Sequence, residues 1–393
     1  METTFSCFLF NTGDQGLKSR ISCTASIAGF LDCGGKQSAT PLSLEAAFAP
    51  PNAGASRPAK PQTCDSGTVS LLWVSMILEP HSLDGLSREL AAAHAARQKI
   101  SAVRLGALSR LVEHTPEDMT ATVEGGMILR AFQEQLAERG QWLPMDPPQP
   151  DSLTIEELLA ADASGPRRFG YGTVRDYLIG IRVVLPDGRI IKAGGNVVKN
   201  VAGYDLCKLF IGSRGTLGVI VEATFKLRPL PEAERFVEAE FDSLSGADQF
   251  LESVRGSALN PVVLDLHHLA ALHGPSSGTY TVVLGFAGAR EDVDFQSGQA
   301  AELGARVPSG LDYEREFWRH GSPGKARRVS VLPSEIANTV RGLGGVPFVA
   351  RAGNGVIWYR GGPDPVQTEL PLALLRRVKD GFDPNRILPD LLL

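Results

Sequence analysis

The sequence of 393 residues lacks the features that define several protein classes. It has only five cysteines, four of them in the first 64 residues, and their spacings match neither a zinc site nor a disulfide framework. It has no run of 18 apolar residues, so we expect no transmembrane helix. The start also lacks the pattern of a secretory signal. We therefore predict reduced thiols and a cytoplasmic location, with peripheral attachment to the inner face of a membrane through partners as an open alternative.

Basic charge is also scarce. Lysine and arginine number 39 against 44 aspartates and glutamates, which gives a formal net charge of -5. A nucleic-acid-binding surface needs clustered basic side chains, and an iron–sulfur cluster needs grouped cysteines, so we expect neither in this chain. Hydrophobic residues at 43% and charged residues at 21% are typical of globular proteins. A chain of this length predicts two or more domains.

The first 75 residues differ in composition from the rest. The stretch 40–67 is rich in proline, alanine, serine and glycine and has neither a helical nor a strand period, which is typical of linkers and disordered segments. We predict that residues 1–75 form a disordered N-terminal extension and that folding begins near Met76.

Beyond Met76, apolar spacing predicts helices alternating with strands. A helix is expected at 82–100, where Leu83, Leu86 and Leu90 recur at intervals of three and four residues. Strands are expected at 103–105 and 121–124, and a second helix at 129–139 with Gly140 ending it.

The last third of the sequence shows a second pattern. Strands are predicted at 236–241, 261–266 and 279–286, with helices at 245–255 and 291–303. This β-α-β-β-α order predicts a ferredoxin-like α+β unit. The fold class expected for the whole chain is α+β, with domains at 76–231 and 232–393.

Glycine is concentrated between residues 164 and 229, where eleven glycines alternate with short strand-like runs. Small hydrogen-bonding residues stand beside glycine at 163–166 and 171–176, a polar loop follows at 199–206, and a glycine-rich strand entrance lies at 212–218. Glycine lacks a Cβ atom, so its backbone can approach a flat or phosphorylated ligand closely. A turn-rich β domain whose glycines only form hairpins and bulges is the alternative. The combination favours a ligand-lining surface.

Four motifs in this region carry a resemblance to a known family: ASGP, RFGYGTVRDYLIG, LPDGRIIKAGG and KNVAGYDLCKLFIGSRGTLGVIVEATFKLRPLP. Their order and spacing resemble the FAD-dependent oxidases of the vanillyl-alcohol oxidase and p-cresol methylhydroxylase type, and most of all the FAD-binding subunit of glycolate oxidase. The resemblance implies a two-subdomain FAD-binding domain, a cap domain and FAD as cofactor. It also implies oxidation of a 2-hydroxy acid to a 2-oxo acid together with a catalytic flavin subunit and an iron–sulfur subunit.

The resemblance assigns candidate cofactor-binding residues as well. One set would line the flavin through loop contacts: Ser164, Gly165, Tyr171, Gly172 and Thr173. A second set would lie along the pyrophosphate and the adenine: Gly215, Gly218, Val219 and Val221. Arg167 or Arg168 is a candidate for holding the substrate carboxylate, with a solvated surface role as the alternative. The ending at 382–389 resembles the family's tail near the flavin, and the catalytic base stays unassigned.

The sequence departs from the family pattern at three places. Ile100 leads almost directly to Val103, so the first phosphate loop, whose backbone amides hold the pyrophosphate in the family, is missing. Glu156 and Glu157 stand where the family has glycine and small residues, and Asp162 stands where it most often has asparagine. Two other functions therefore stay open: a non-catalytic scaffold or adaptor subunit with weak or lost FAD binding, and an autonomous FAD-linked dehydrogenase of another hydroxy acid or alcohol.

The histidines do not predict a metal site. His267 and His268 are adjacent, so in a strand they point to opposite faces, and no carboxylate or cysteine has matching ligand spacing. Asp265 and His267 share one strand face and could form an acid–base pair, with an ordinary structural pair as the alternative.

Overall fold

The structure, a computed structural model, describes residues 5–6, 22–23, 76–195, 206–269, 272, 279–319, 324–365 and 370–390. The chain falls into two units, Met1–Val69 and Ser70–Leu393. In the first unit, strands β1 (Phe5–Ser6) and β2 (Ser22–Cys23) pair antiparallel. The predicted disorder of residues 1–75 otherwise falls outside the described residues, as does nearly all of the predicted loop at 199–206.

The described part of the second unit opens with a β-α-β element. Strands β3 (Met76–Leu78) and β4 (Ile100–Val103) pair in parallel, and α1 (Leu83–Ala96) connects them. The side chain of Ser82 caps α1 by accepting the N–H of Gly85, which satisfies a free donor of the first turn. At its other end, the helix stops four residues earlier than predicted, because the backbone of Arg97 adopts the left-handed conformation at φ 52°. The strand predicted at 103–105 lies instead at 100–103.

A five-stranded antiparallel sheet follows, in the order β5-β6-β10-β8-β9. Its strands are β5 (Leu111–Thr115), β6 (Thr120–Glu124), β8 (Leu178–Val184), β9 (Ile190–Gly194) and β10 (Val219–Lys226). A small pair joins β7 (Gln141–Trp142) to β11 (Arg228–Pro229). The strand predicted at 121–124 is thus present within β6.

Four helices accompany this sheet: α2 (Leu129–Ala137), α3 (Ile155–Ala161), α4 (Arg168–Tyr171) and α5 (Leu206–Phe210). Short 3-10 turns lie at Pro116–Asp118 and Val174–Asp176. Phe132 of α2, Leu158 of α3 and Phe225 of β10 are fully buried in one core. The second predicted helix is confirmed, with its end at residue 137.

The rest of the unit is a seven-stranded antiparallel sheet, in the order β15-β12-β14-β13-β17-β18-β16. Its strands are β12 (Ala233–Phe241), β13 (Val263–His268), β14 (Tyr280–Gly288), β15 (Val307–Pro308), β16 (Ala326–Ser330), β17 (Phe348–Arg351) and β18 (Val356–Arg360). Its helices are α6 (Leu244–Arg255), α7 (Arg290–Leu303), α8 (Asp312–Phe317) and α9 (Ile336–Gly342), with a 3-10 turn at Pro333–Glu335. The last helix, α10 (Leu372–Phe382), packs on the core of the five-stranded sheet, where Phe382 lies edge-on against Phe210 of α5 at 5.6 Å.

Both faces of this sheet are covered. Leu284 and Phe286 of β14 join the core formed with α6, α7 and α9, whereas Val283 between them joins a smaller core with Phe317 of α8. This division follows from the alternation of side chains along a strand. The predicted β-α-β-β-α order is present as β12-α6-β13-β14-α7, and the chain has a mixed α/β structure. The ferredoxin-like classification and the domain boundary at 231 stay predictions.

Within the described ranges, no helix is long and apolar enough to cross a membrane. No group of three or more metal-binding side chains comes together there either.

Candidate functional site

A cavity of about 770 Å³ lies between helix α3 and strands β16 to β18 of the seven-stranded sheet. Its walls come from β4, α3, the segment before β10 and the C-terminal tail at Leu388 and Pro389. Cavities of a few hundred to a thousand Å³ are typical of small-molecule sites. We therefore take it as the candidate site.

Helix α3 lies along one wall with a single face. Glu156, Glu157, Ala160 and Ala161 line the cavity, because residues four apart share a helix face. The alanines leave space beside the helix, and the glutamates bring two carboxyl groups to its N-terminal end. Since α3 has seven residues, its two ends are about 10 Å apart.

The backbone N–H groups in the first turn of α3 already donate hydrogen bonds within the protein. The N–H groups of Ile155 and Glu156 donate to the carbonyl oxygens of Met127 and Gly125, both at 2.8 Å. The N–H of Glu157 donates to Oγ1 of Thr154 at 3.2 Å, and the Glu157 carboxylate accepts the N–H of Thr154 at 2.9 Å in a capping box. This turn therefore presents carboxyl oxygens to the cavity.

The carboxyl of Glu156 has no hydrogen-bond partner among the described residues. Burial, followed by the charge of Glu157, raises the pKa of Glu156 to about 7. Partial burial disfavours the charged form of a carboxyl, so this half-buried side chain changes charge near neutral pH.

The opposite end of the cavity is basic. Arg168 of α4, Arg214 and Arg328 of β16 all line it, and we call these three side chains the guanidinium cluster. Burial lowers the pKa of Arg328, the charge of Arg168 lowers it further, the charge of Asp162 raises it and the charge of Arg214 lowers it, which indicates that these charged groups lie near Arg328. In the described part of the chain, none of them pairs with a carboxylate. Guanidinium groups recognise carboxylates and phosphates, so the cluster is suited to an anion.

Few contacts hold the cluster in place. Arg168 donates to Oγ of Ser164 at 3.2 Å, and the guanidinium of Arg328 lies 5.8 Å from the ring centre of Trp358. Trp358 in turn packs edge-on against Trp318 at 5.0 Å, and both rings line the cavity. The basic end therefore also has an aromatic wall.

Asp162 stands beside the cluster, at the C-terminal end of α3. Its Oδ2 accepts a hydrogen bond from Nε of Arg175 at 3.3 Å, whereas its Oδ1 is buried and has no partner in the described part of the chain. Arg175 is itself held by the carbonyl oxygens of Lys208 and Ile211, at 3.0 and 2.8 Å. The free oxygen is therefore held in a defined place at the cavity wall.

Arg351 also lines the cavity, but it is neutralised from behind. Its Nη1 lies 2.5 Å from Oδ2 of Asp265 and 2.7 Å from Oε1 of Glu314. Tyr313 donates to the same Asp265 oxygen at 2.6 Å, and His267 stacks on the Tyr313 ring at 4.6 Å. Burial lowers the pKa of His267 to about 4, so this histidine stays neutral. Asp265 thus pairs with Arg351 and Tyr313, and the acid–base pair considered for Asp265 and His267 is not formed.

A buried ion pair fixes the C-terminal tail against the cavity. Nζ of Lys379 donates to Oδ2 of Asp383 at 2.6 Å. It also donates to the carbonyl oxygens of Thr216 and Pro389, at 2.8 and 3.0 Å. The Asp383 carboxylate accepts the N–H groups of Ile387 and Leu388, both at 3.0 Å. One lysine thereby joins α10, the tail and the segment that contains Gly215.

Three of the nine predicted cofactor residues line the cavity: Ser164, Gly215 and Val219. Gly215 has φ 70°, which favours glycine, and a Cβ built on it would meet no atom within 4 Å. Its backbone is thus open to a ligand, and the binding role of the three residues stays a proposal. Of the two candidate arginines, Arg168 lines the cavity, whereas Arg167 is held between Asp146 at 3.1 Å and Glu234 at 2.6 Å.

Three other predicted residues pack against protein, and their cofactor-binding role stays a prediction. A Cβ on Gly165 would lie 1.8 Å from the carbonyl oxygen of Asp146, and one on Gly218 would lie 2.8 Å from Cγ1 of Val183. Val221 is buried in the core beneath α1. These two glycines therefore permit close packing of one segment on another.

The remaining three shape the turn after α4. Tyr171 packs edge-on against Trp142 at 5.3 Å. Gly172 has φ 85°, and the Asp176 carboxylate accepts the N–H and hydroxyl of Thr173 at 2.8 and 3.1 Å. None of the three is among the residues that line the cavity. Sequence reasoning missed Arg214 and Arg328, because no local signal distinguishes an arginine that faces a cavity.

The fold agrees with an FAD-binding domain. Residues 85–194 match the FAD binding domain family. A solved structure of alkyldihydroxyacetonephosphate synthase shares the fold, with a TM-score of 0.59 at 17% identity over 79% of this chain and 76% of that one. The matched domain indicates FAD as the cofactor, as predicted.

The chain is similar in sequence to named FAD-linked oxidases, which confirms the resemblance. It is 37% identical to glycolate oxidase subunit GlcD of Bacillus subtilis over 40% of this chain and 34% of the relative. It is 35% identical to glycolate oxidase subunit GlcE of Escherichia coli over 36% and 41%. It is 40% identical to the mitochondrial D-lactate dehydrogenase (cytochrome) of Arabidopsis thaliana over 33% and 23%. The chain thus spans less than half the length of each of these relatives.

The cavity fits part of FAD and not all of it. Its basic, aromatic end suits a flavin ring and an anion. The first turn of α3 does not suit a phosphate, because its three N–H groups are bonded and two carboxyls stand there. The segment 104–110 does not line the cavity, and the N–H of Arg110 donates to the Glu124 carboxylate at 2.8 Å.

Proposed function

We propose that this chain is the FAD-binding subunit of a glycolate oxidase-like complex that oxidises a 2-hydroxy acid to a 2-oxo acid. The observation that carries the proposal is the guanidinium cluster at the aromatic end of the cavity, whose three arginines form no ion pair with a carboxylate among the described residues. A small hydroxy acid brings the carboxylate that such a cluster recognises. The proposal includes a cytoplasmic location, with any attachment to a membrane made through partner subunits.

Different residues of this chain would have different roles in the reaction. The guanidinium cluster binds the substrate carboxylate and orients the hydroxy-bearing carbon toward the aromatic wall. Oδ1 of Asp162, buried and without a partner, accepts the proton of the substrate hydroxyl. Arg175 holds Asp162 in position through its other oxygen. FAD, when bound, supplies the acceptor for the hydrogen and the electron pair that leave the same carbon.

A scaffold or adaptor subunit with weak FAD binding is the second candidate. The bonded N–H groups and the two carboxyls at the first turn of α3 favour it, since they disfavour a diphosphate. An autonomous dehydrogenase is the third candidate, and the similarity to D-lactate dehydrogenases supports it.

Dye reduction with glycolate and D-lactate distinguishes the autonomous enzyme from the two subunit candidates. The purified chain with FAD should show little or no turnover. Addition of a catalytic flavin subunit and an iron–sulfur subunit from the same genome should restore it. Substantial turnover by the chain alone would support the autonomous enzyme.

The cluster itself is tested within the assembled complex. Arg328→Met should raise KM at least tenfold, and Asp162→Asn should lower kcat, whereas Arg139→Met, at an exposed position just after α2, should change neither. If neither Arg328→Met nor Asp162→Asn changes the activity of the complex, the result would support the scaffold or adaptor function.

A further inference from the structure

The two ends of the cavity carry opposite charge. Glu156 and Glu157 stand at the N-terminal end of α3, and the guanidinium cluster stands beyond its C-terminal end. From Glu156 to Ala161, the last residue of α3, the helix rises by about 7.5 Å. Ala160 and Ala161 between the two ends provide a smooth neutral wall. A ligand that lies along α3 therefore meets a charge of each sign.

The acidic end is not neutralised by its surroundings. Glu157 from the same helix is the one charged neighbour that shifts Glu156 within the described residues. β4 contributes the hydroxyl of Ser101 to the lining, and the tail contributes Leu388 and Pro389, none of which is charged. The remaining charged lining groups are Asp162, Arg351 and the guanidinium cluster, and Arg351 already has two carboxylate partners.

We propose that Glu156 is a specificity-determining residue that disfavours a phosphate at the first turn of α3, so that ionised Glu156 weakens the binding of FAD but not that of riboflavin. The inference rests on the proposed flavin-binding function. A flavin ring bound at the basic, aromatic end would place its five-carbon ribityl chain along the alanine wall. The diphosphate that follows would then lie near Glu156, where the N–H groups of the first turn are already bonded.

The effect depends on pH because Glu156 changes charge near neutrality. Its raised pKa of about 7 leaves it mostly neutral at pH 6 and mostly ionised at pH 8. Repulsion of the diphosphate should therefore grow over this interval. Described lining residues include no histidine, and arginine keeps its charge throughout.

Flavin titrations of the purified full chain, followed by fluorescence, test the proposal. Glu156→Gln should bind FAD at least tenfold more tightly than the parent at pH 8, which corresponds to about 1.4 kcal/mol. Its affinity for riboflavin should stay within twofold, and FMN with its single phosphate should give an intermediate gain. Glu156→Asp, which keeps the charge, should resemble the parent. Glu134→Gln on the exposed face of α2 should also have no effect.

The pH series adds a second readout. The parent should lose FAD affinity from pH 6 to pH 8, and Glu156→Gln should show a flat profile. Equal FAD affinity of parent and Glu156→Gln at pH 8, with FAD bound by both, would overturn the inference and leave the proposed function standing. Failure of both proteins to bind any of the three flavins at either pH would overturn the two together.

Discussion

Replacement of Lys379 by methionine should destabilise the protein strongly. Lys379 and Asp383 are 3% and 0% exposed, so the change leaves a carboxylate buried without its counter-charge. Two backbone N–H groups still bond to Asp383, but the carbonyl oxygens of Thr216 and Pro389 lose their donor. Breaking a buried pair from one side costs about 3–5 kcal/mol.

This cost converts into a measurable melting shift. An unfolding entropy of roughly 2.1 cal/mol/K per residue over a unit of roughly 320 residues gives about 0.7 kcal/mol/K, and hence a fall in Tm of about 4–8 °C. Differential scanning fluorimetry at pH 7.5 measures it. Because the pair is buried, the shift should persist at high salt.

Two further variants make the reasoning refutable. Asp383→Asn in the Lys379→Met background removes the stranded charge and keeps an acceptor oxygen, so it should recover at least half of the loss. Lys99→Met breaks an exposed pair with Asp390, in which the side chains are 43% and 63% exposed, and should shift Tm by no more than about 1–2 °C. A Lys379→Met protein whose Tm lies within about 1 °C of that of the parent would show that Asp383 is not a buried charge. A double variant whose Tm is no higher than that of the single variant would show the same.

Three other predictions follow from the same structure. Gly218→Ala should lower Tm because its Cβ would meet Val183 and the carbonyl oxygen of Val184 at 2.8 and 3.1 Å. Gly215→Ala should cost about 1–2 kcal/mol of stability for its left-handed backbone and should reduce the amount of bound flavin, as measured by absorbance. Equal flavin loss in both variants would contradict the placement of the site. A chain that starts at Met76 should melt within a few degrees of the full chain in a thermal scan, and loss of cooperative melting would show that residues 1–75 contribute to the fold. The pKa of Glu156 is raised to about 7 in the folded state, so its contribution to stability is complete below its ordinary pKa and is lost as the pH rises through 7. The Tm of Glu156→Gln should therefore rise relative to that of the parent between pH 5 and pH 8. Parallel curves of Tm against pH for the two proteins would refute the raised pKa.

Local periodicity was enough to predict several elements. Leu86 and Leu90 define the buried face of α1, and the alternation at 236–241 lies within β12. Such patterns are set by residues close in sequence, so they survive without knowledge of the fold. The strands β16 to β18 were not predicted, because runs of four or five residues carry little periodic signal.

The sequence by itself determined that a glycine-rich FAD-binding domain is present, and it predicted that Glu156 and Glu157 replace small residues of the family pattern. Only the tertiary structure decided which glycines face the cavity. Gly215 opens toward it, whereas Gly165 and Gly218 let one segment pack on another, and both uses need the same missing Cβ atom. The guanidinium cluster likewise draws its arginines from α4, the segment before β10 and β16, so its existence depends on how distant elements pack.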